Sequence, residues 1–451
     1  MKRREFIGAS AAAGAGLLWL GAKAAETGAA PSAALNIALI GAGEQGRVLI
    51  NSTLPISGIR FRALCDIWPY RRDVTKRYLA FYKHPVNDYA DYREMLAKEK
   101  DLQAVLIATP DSAHAEQAVA CLRAGLDVYC EPPMASTLDG ARSMVRTMRE
   151  TGRLLQIGYQ RRSNPRYRHT VEKLLREAKL PGRVTHVNAQ WCQPIADDLG
   201  WPRAAAVADE DLKRFGYASM AELRNWRHYR KHSAGLFAGL AGHAVDVANW
   251  FLATPPKAVL AAGGTDFYRG RETHDNVMAV LDYETPEGLV RAFFQALTTT
   301  TNGGLAAFEH FLGTDGSIRI SEFHKWTRVF HEPHAPDWDK WTRLDYLIKD
   351  APPQPEGRAK LPLSQAEEKP VDPNVVRSQE TGLVTGYDIP IALVKLPHQP
   401  HLENFFDALR GRARLACPAD EALRAHAVAL KVNEAIEAKR VLTLSREDYQ
   451  V

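Results

Sequence analysis

Residues 35–46 read Leu35-Asn-Ile-Ala-Leu-Ile-Gly-Ala-Gly-Glu-Gln-Gly46. An apolar strand runs straight into glycines at 41, 43 and 46, the spacing G-x-G-x-x-G, and a helix-forming run follows over Gln45 to Leu54. A second strand-like run, Phe61-Arg-Ala-Leu-Cys65, ends on Asp66, 20 residues past Gly46. Gly41 permits a tight turn, Gly43 lets backbone approach a pyrophosphate, and Gly46 lets helix and strand pack closely. The carboxylate of Asp66 stands where it can grip a ribose diol. The stretch reads as the first β-α-β unit of a dinucleotide-binding domain.

Working outward, the alternation continues. Helical runs at 71–82, 91–98, 113–124 and 138–150 separate strand-like runs at 102–108, 127–130 and 154–158. Repeated β-α units of this length imply a doubly wound parallel sheet, which binds ligands at the carboxyl ends of its strands. Thr109, Pro110, Glu131 and Tyr159 fall at those ends. After residue 160 the pattern changes to a helix at 164–178 and alternating runs at 184–191, 258–268, 277–283 and 289–296. These read as antiparallel strands, whose sheet needs one face covered by helices or by a second subunit. Residues 350–375, rich in Pro, Lys and Glu, read as an exposed loop or a subunit-embracing arm. Helices at about 399–411 and 418–437 close the chain. The fold class is α/β: a Rossmann-type parallel sheet over 35–160, then an α+β domain with a large, mainly antiparallel open sheet over 161–451. The C-terminal helices are placed to pack back on the first domain.

In front of the fingerprint, Arg3 and Arg4 precede a mostly apolar run from Phe6 to Ala22, and Ala22-Lys23-Ala24 offers small residues for a signal peptidase. Residues 1–34 thus resemble a twin-arginine export signal with a short linker, cleaved after Ala24. The expected location is the periplasm or another exported compartment, with no membrane span after signal removal. Twin-arginine export carries folded proteins, so a dinucleotide would be loaded before export and stay bound. The 451 residues allow two or three domain-sized units, and the net charge of +5 has no dense basic stripe, which argues against a nucleic-acid partner. Five cysteines lack any paired spacing and read as buried free thiols. His398 and His401 are three apart, but no compact ligand set surrounds them, so no metal site is expected.

The motifs together resemble the glucose–fructose oxidoreductase, inositol dehydrogenase and MocA family over roughly residues 35–445. The carriers are the fingerprint, Cys-Asp-Ile-Trp-Pro-Tyr at 65–70, Ala-Thr-Pro-Asp-Ser-Ala-His at 108–114, and Cys-Glu-Pro-Pro-Met at 130–134. Gly-Tyr-Gln-Arg-Arg at 158–162 and Gly-His-Ala-Val-Asp at 242–246 extend the match. Asn225-Trp226-Arg227 and Phe323-His324-Lys325-Trp326 resemble an exported bacterial subgroup. The resemblance implies NAD(P) chemistry on a sugar or glycoside and a homo-oligomer, dimer or tetramer. It implies that Gly41, Gly43, Glu44, Gln45, Gly46, Asp66, Trp68, Arg71, Thr109, Pro110, His114, Glu131 and Pro132 meet the cofactor. Arg161, Arg162, Trp226 and Arg227 would meet substrate. Asp66 favours NAD by repelling a 2′-phosphate, while Arg71 and Arg72 leave NADP possible.

Two departures matter. The family usually has Glu-Lys-Pro where this chain has Glu131-Pro132-Pro133, and proline carries neither a titratable group nor a backbone N–H. The acid often found upstream of the histidine is also absent, while His243 and Asp246 remain. His243 is therefore the first candidate base and Tyr159 the second, its pKa lowered by Arg161 or Arg162. Asp246, at i+3, is placed to orient His243. A trapped cofactor must be recycled, either by a second sugar or within one glycoside through oxidation, elimination, hydration and reduction. A non-catalytic carbohydrate-binding relative is the third reading.

Overall fold

The computed structural model describes residues 34–350 and 385–451. The twin-arginine leader and nearly all of the 350–375 stretch lie outside them. The first domain carries a parallel sheet of six strands: β1 (Leu35–Ile40), β2 (Ile59–Cys65), β3 (Asn87–Tyr89), β4 (Ala104–Ile107), β5 (Asp127–Cys130) and β6 (Leu155–Ile157). Their spatial order is β3-β2-β1-β4-β5-β6, so the chain reverses direction across β1 and β4, where such sheets bind ligands. Five helices connect them: α1 (Glu44–Thr53), α2 (Pro69–Phe81), α3 (Tyr92–Lys98), α4 (Asp111–Arg123) and α5 (Leu138–Thr151). Local chemistry sets their ends. Thr137 caps α5 by accepting from Gly140 N at 3.1 Å, and Gly152 ends it with φ +66°, a left-handed turn that glycine adopts cheaply.

The second domain is a mixed sheet of ten strands. They are β7 (Val184–Cys192), β8 (Ala258–Gly264), β9 (Asn276–Thr285), β10 (Gly288–Leu297), β11 (Ala307–Gly313), β12 (Gly316–Ile320), β13 (Arg328–His331), β14 (Ile348–Lys349), β15 (Thr385–Asp388) and β16 (Leu442–Thr443). The order is β14-β15-β13-β12-β11-β7-β10-β9-β8-β16, antiparallel except for the β7–β10 pair. Its helices are α6 (Pro165–His169), α7 (Asp209–Arg214), α8 (Met220–Arg224), α9 (Leu236–Gly239), α10 (Gly242–Leu252), α11 (Asp339–Arg343), α12 (Gln399–Leu409) and α13 (Ala419–Ala438). The helix expected at 164–178 starts as α6 and widens into a π-helix over Thr170–Glu177. The strand expected to reach Tyr268 stops at Gly264, because Asp275 accepts from Phe267 N (2.8 Å) and Tyr268 N (3.0 Å) and turns the chain back.

One face of the large sheet packs on α9, α10 and α13. Val277, Leu281, Val290 and Phe294 point inward against Phe237, Val245, Val428 and Val432, all at or near zero exposure. The other face is open among the described residues and carries half-exposed Leu260, Met278, Val280 and Phe293. Helix α12 returns to the first domain, where Leu402, Phe405 and Phe406 pack with Ile37, Leu39 and Phe61. Fully burying each such side chain contributes roughly 1.5–3 kcal/mol, so the C-terminal part of the chain is a structural component of the first domain.

Candidate active site

The glycine turn is built as its sequence requires. Gly41 has φ +95°, and a Cβ there would sit 2.5 Å from Ala108 O. A Cβ at Gly46 would run into the Gly41 carbonyl. At Gly43 a Cβ would meet nothing within 4 Å, so this position faces open space beside the first turn of α1. No side chain caps α1, which leaves its N-terminal amides free for an anion. Asp66 accepts from Ala42 N at 2.7 Å and from Trp68 N at 2.8 Å. It fixes the turn and still keeps lone pairs for a diol. These features fit a dinucleotide.

The other cofactor candidates gather at the same strand ends, with different attachments. Glu44 is exposed, 3.8 Å from Arg71, whose guanidinium lies 5.5 Å from the centre of the Trp68 ring. Gln45 Nε2 is 3.1 Å from His398 Nε2. Thr109 donates to Gln117 Oε1 at 2.7 Å, and Pro110 leads into α4. His114 is turned away from the cleft: its ring nitrogens lie 2.8 Å from Thr109 O and Pro133 O, so it braces two loops and does not face a ligand. Glu131 is buried beside Gly158 and Tyr129, and burial pushes its carboxyl up to about 8. Pro132 packs its ring against Gly158 and supplies no charge where the family's lysine stands.

Three elements converge on His243. It sits in the first turn of α10, its ring 5.3 Å from that of Tyr159, edge-on, and 5.3 Å from that of Trp191 of β7. The Tyr159 hydroxyl and His243 Nδ1 are both buried without a hydrogen-bond partner. Burial, then the nearby charge of Arg161, hold the imidazole well below its ordinary pKa, so it is neutral at pH 7 and titrates far from neutrality. Tyr159 differs from the expected lowered pKa. Burial and the charge of Asp246 outweigh Arg162 and drive the phenol well above its usual range. The pair is thus a neutral acceptor beside a protonated donor.

Asp246 does not orient His243. It makes no hydrogen bond to the imidazole and takes Arg162 in a two-pronged ion pair, Nε–Oδ2 2.8 Å and Nη2–Oδ1 2.8 Å. Arg161 pairs with Glu309 of β11, and Tyr167 donates to the same carboxylate at 2.8 Å. Burial raises Glu309 to about 7. Arg161 and Arg162, two of the three arginines expected at substrate, are therefore committed inside the protein, although Arg161 keeps Nε and Nη2 without hydrogen-bond partners. Glu309 was not singled out from the sequence. Its signal is a charged residue at an inward position of the alternating strand Ala307-Phe-Glu-His-Phe311. Trp226 and Arg227 stack on each other at 4.1 Å, and the acids acting on Arg227 are Asp111 and Glu44, which places this pair near the glycine turn.

A parallel sheet ending in a glycine cradle, joined to a mainly antiparallel sheet, with an orphaned His243–Tyr159 pair between α10 and the end of β6, defines a two-domain dinucleotide-dependent protein. Residues 35–159 match the family described as "Oxidoreductase family, NAD-binding Rossmann fold", and residues 169–319 match the "GFO/IDH/MocA C-terminal domain". The chain belongs to the glucose–fructose oxidoreductase, inositol dehydrogenase and MocA family.

Among curated relatives, the chain is 32% identical over 222 residues to 4-carboxy-2-hydroxymuconate-6-semialdehyde dehydrogenase of Sphingobium sp., covering 47% of this chain and 60% of that one. It is 30% identical over 170 residues to inositol 2-dehydrogenase/D-chiro-inositol 3-dehydrogenase of Shouchella clausii, covering 37% and 48%. It is 32% identical over 197 residues to a glycosyl hydrolase family 109 protein of Stenotrophomonas maltophilia, covering 42% of each. The chain spans about half the length of these relatives. In fold it resembles the WlbA dehydrogenase from Bordetella pertussis, solved with NADH and UDP-GlcNAcA (TM-score 0.65, 20% identity, 92% of this chain and 98% of that one). The aldose-aldose oxidoreductase from Caulobacter crescentus is similar (TM-score 0.64, 18% identity, 91% and 100%).

Proposed function

We propose that the protein is an exported oxidoreductase that acts on a sugar or glycoside with a retained, internally recycled NAD. The observation that carries this is the pair of orphans, Tyr159 OH and His243 Nδ1, at the carboxyl end of the sheet whose glycine turn is open at Gly43. A buried polar atom left unpaired costs about 1–3 kcal/mol, so two adjacent ones mark a place where a ligand hydroxyl supplies the missing bonds. When bound, the nicotinamide takes or returns a hydride at a ring carbon of the substrate. His243, neutral at pH 7, accepts the hydroxyl proton at Nδ1, while the Tyr159 hydroxyl donates to the same oxygen and orients it. In the reducing direction the roles reverse: the carbonyl oxygen receives its hydrogen bond from Tyr159 and its proton from His243.

Retention follows from the twin-arginine leader, since a freely exchanging nucleotide would be lost outside the cytoplasm. The open face of the large sheet, with Leu260, Val280 and Phe293 side by side in register, supports pairing with a second copy. Pro132 favours one second reading. Without the family's lysine, the same retained cofactor suits a redox-neutral glycosidase. There a ring carbon is oxidised, the C2 proton and C1 leaving group depart, water adds, and the ketone is reduced again. The family 109 relative accords with that reading.

Incubating the purified protein with a panel of simple glycosides and sugar pairs, without added nucleotide, tests the proposal. Conversion between two sugars supports oxidoreduction, and new reducing sugar from one glycoside supports the redox-neutral route. Binding with neither conversion nor any change in cofactor absorbance would instead assign a non-catalytic carbohydrate binder.

A further inference from the structure

Tyr159 stands on a loop outside the sheet. Strand β6 ends at Ile157 and α6 begins at Pro165, with a 3-10 turn over Gln160–Ser163 between them. Tight turns aim the tyrosine. Tyr159 N donates to Ile157 O at 2.7 Å, and Gln160 N donates to Gly158 O at 2.9 Å. Tyr159 itself, at φ −76° and ψ 72°, is the centre of an inverse γ-turn. A turn that closes on a single hydrogen bond is weak alone, so the direction of the phenol depends on what braces the loop from outside.

The brace is His401, fully buried on α12. Its Nε2 lies 3.0 Å from Ile157 O, and its Nδ1 lies 2.7 Å from Ser163 Oγ. A carbonyl only accepts, so Nε2 carries the proton and Nδ1 accepts from the Ser163 hydroxyl. One imidazole thus bonds to both ends of the stretch 157–163. At the first end it shares the Ile157 carbonyl with Tyr159 N, and so ties down the peptide from which the phenol is aimed. Burial lowers the pKa of His401 to about 4, so the ring is neutral at pH 7 and keeps this arrangement.

His401 is itself held on the first domain. Its backbone carbonyl accepts from Gln156 Nε2 at 2.9 Å, and its ring meets that of Tyr129 edge-on at 5.8 Å. Leu402, Phe405 and Phe406 anchor the same helix in the core. Beyond α12, Cys417 O accepts from Ile157 N at 3.0 Å, so the chain closes again on the same strand end.

We propose that His401 is a positioning residue for the reaction: through Ile157 and Ser163 it fixes the loop that presents the Tyr159 hydroxyl beside His243. This rests on the reading that Tyr159 and His243 serve the substrate oxygen.

The test compares the full-length native protein with H401L, H401Q and S163A. Hydrogen–deuterium exchange of the peptide covering residues 157–164 reads the loop without substrate. The constants kcat and KM are read on whichever member of the glycoside and sugar panel the native protein converts. H401L keeps an apolar volume and loses both bonds. Its loop amides should exchange about tenfold faster, the loss expected for one hydrogen bond, while peptides from β1 and β10 keep native rates. Its kcat should fall about ten- to a hundredfold, the cost of displacing a catalytic group by about 1 Å, with KM and bound NAD unchanged. H401Q should recover most of both, because a carboxamide offers one donor and one acceptor as the neutral imidazole does. S163A frees one end of the loop, should move both readouts the same way, and decides the matter if H401L does not fold. Native exchange at 157–164, faster exchange spread over both sheets, or a native kcat overturns the proposal. A native protein that converts no member of the panel overturns the underlying functional reading instead, and the exchange rates still decide whether His401 holds the loop.

Discussion

Gly43 and Gly46 look alike in the sequence and differ in what surrounds them. Space at Gly43 is open, whereas Gly46 is pressed against the Gly41 carbonyl. Gly43→Ala should therefore fold with the melting temperature of native protein stripped of nucleotide and lose nucleotide affinity, because its methyl occupies ligand space. Gly46→Ala should lose stability, by about 1–3 kcal/mol from overpacking, in thermal melts without any nucleotide. Equal effects of the two substitutions would contradict the assignment. His426 offers a separate check. It is buried in α13 with both ring nitrogens unpartnered, and burial lowers its pKa to about 4. Below pH 6.5 the unfolded chain takes a proton that the folded histidine refuses, so stability is present above that pH and is lost as pH falls. By pH 5 the loss is about 2 kcal/mol. His426→Leu removes it, so the stability of the variant relative to native should rise by that amount between pH 7 and pH 5 in denaturant titrations; parallel curves would contradict it. The glycines were legible because their chemistry is local. Asp246 was not, since its partner Arg162 comes from a distant part of the chain that no spacing reveals.

At the scale of the element, α10 explains why two residues three apart do different work. His243 packs against the rings of Tyr159 and Trp191, while Asp246 holds Arg162 in an ion pair. Asp246→Ala should leave the arginine buried and largely uncompensated, costing about 3–5 kcal/mol in equilibrium unfolding. A near-neutral result would mean that the pair is not formed. The long periodic elements of the first domain were readable because each carries a full pattern and its own punctuation, such as Gly152 after α5. The short strands β12 to β15 have too few residues to show alternation, and some of their pairing depends on neighbours far along the chain. Residues 193–235 show no period because they pack on Trp68 of the other domain and not on themselves alone.

At the scale of the whole molecule, the two sheets were legible as classes, since continuous apolar runs differ from alternating ones. The packing of residues 193–235 onto Trp68 was not, because it is made by tertiary contacts. The open sheet face leads to a direct expectation. Val280→Asp places a charge between Leu260 and Phe293, and should convert an assembled native protein to monomers in light scattering with an unchanged circular dichroism spectrum. A native monomer, or a variant that still assembles, would contradict pairing through this face. The central claim is that the glycine cradle holds a nicotinamide dinucleotide that stays with the folded chain. Its most direct test is to denature the purified native protein, after exhaustive dialysis, and quantify the released nucleotide by mass spectrometry. The account predicts close to one NAD per chain. No dinucleotide would contradict retention, and no binding when NAD is titrated into the native protein would contradict the cradle itself.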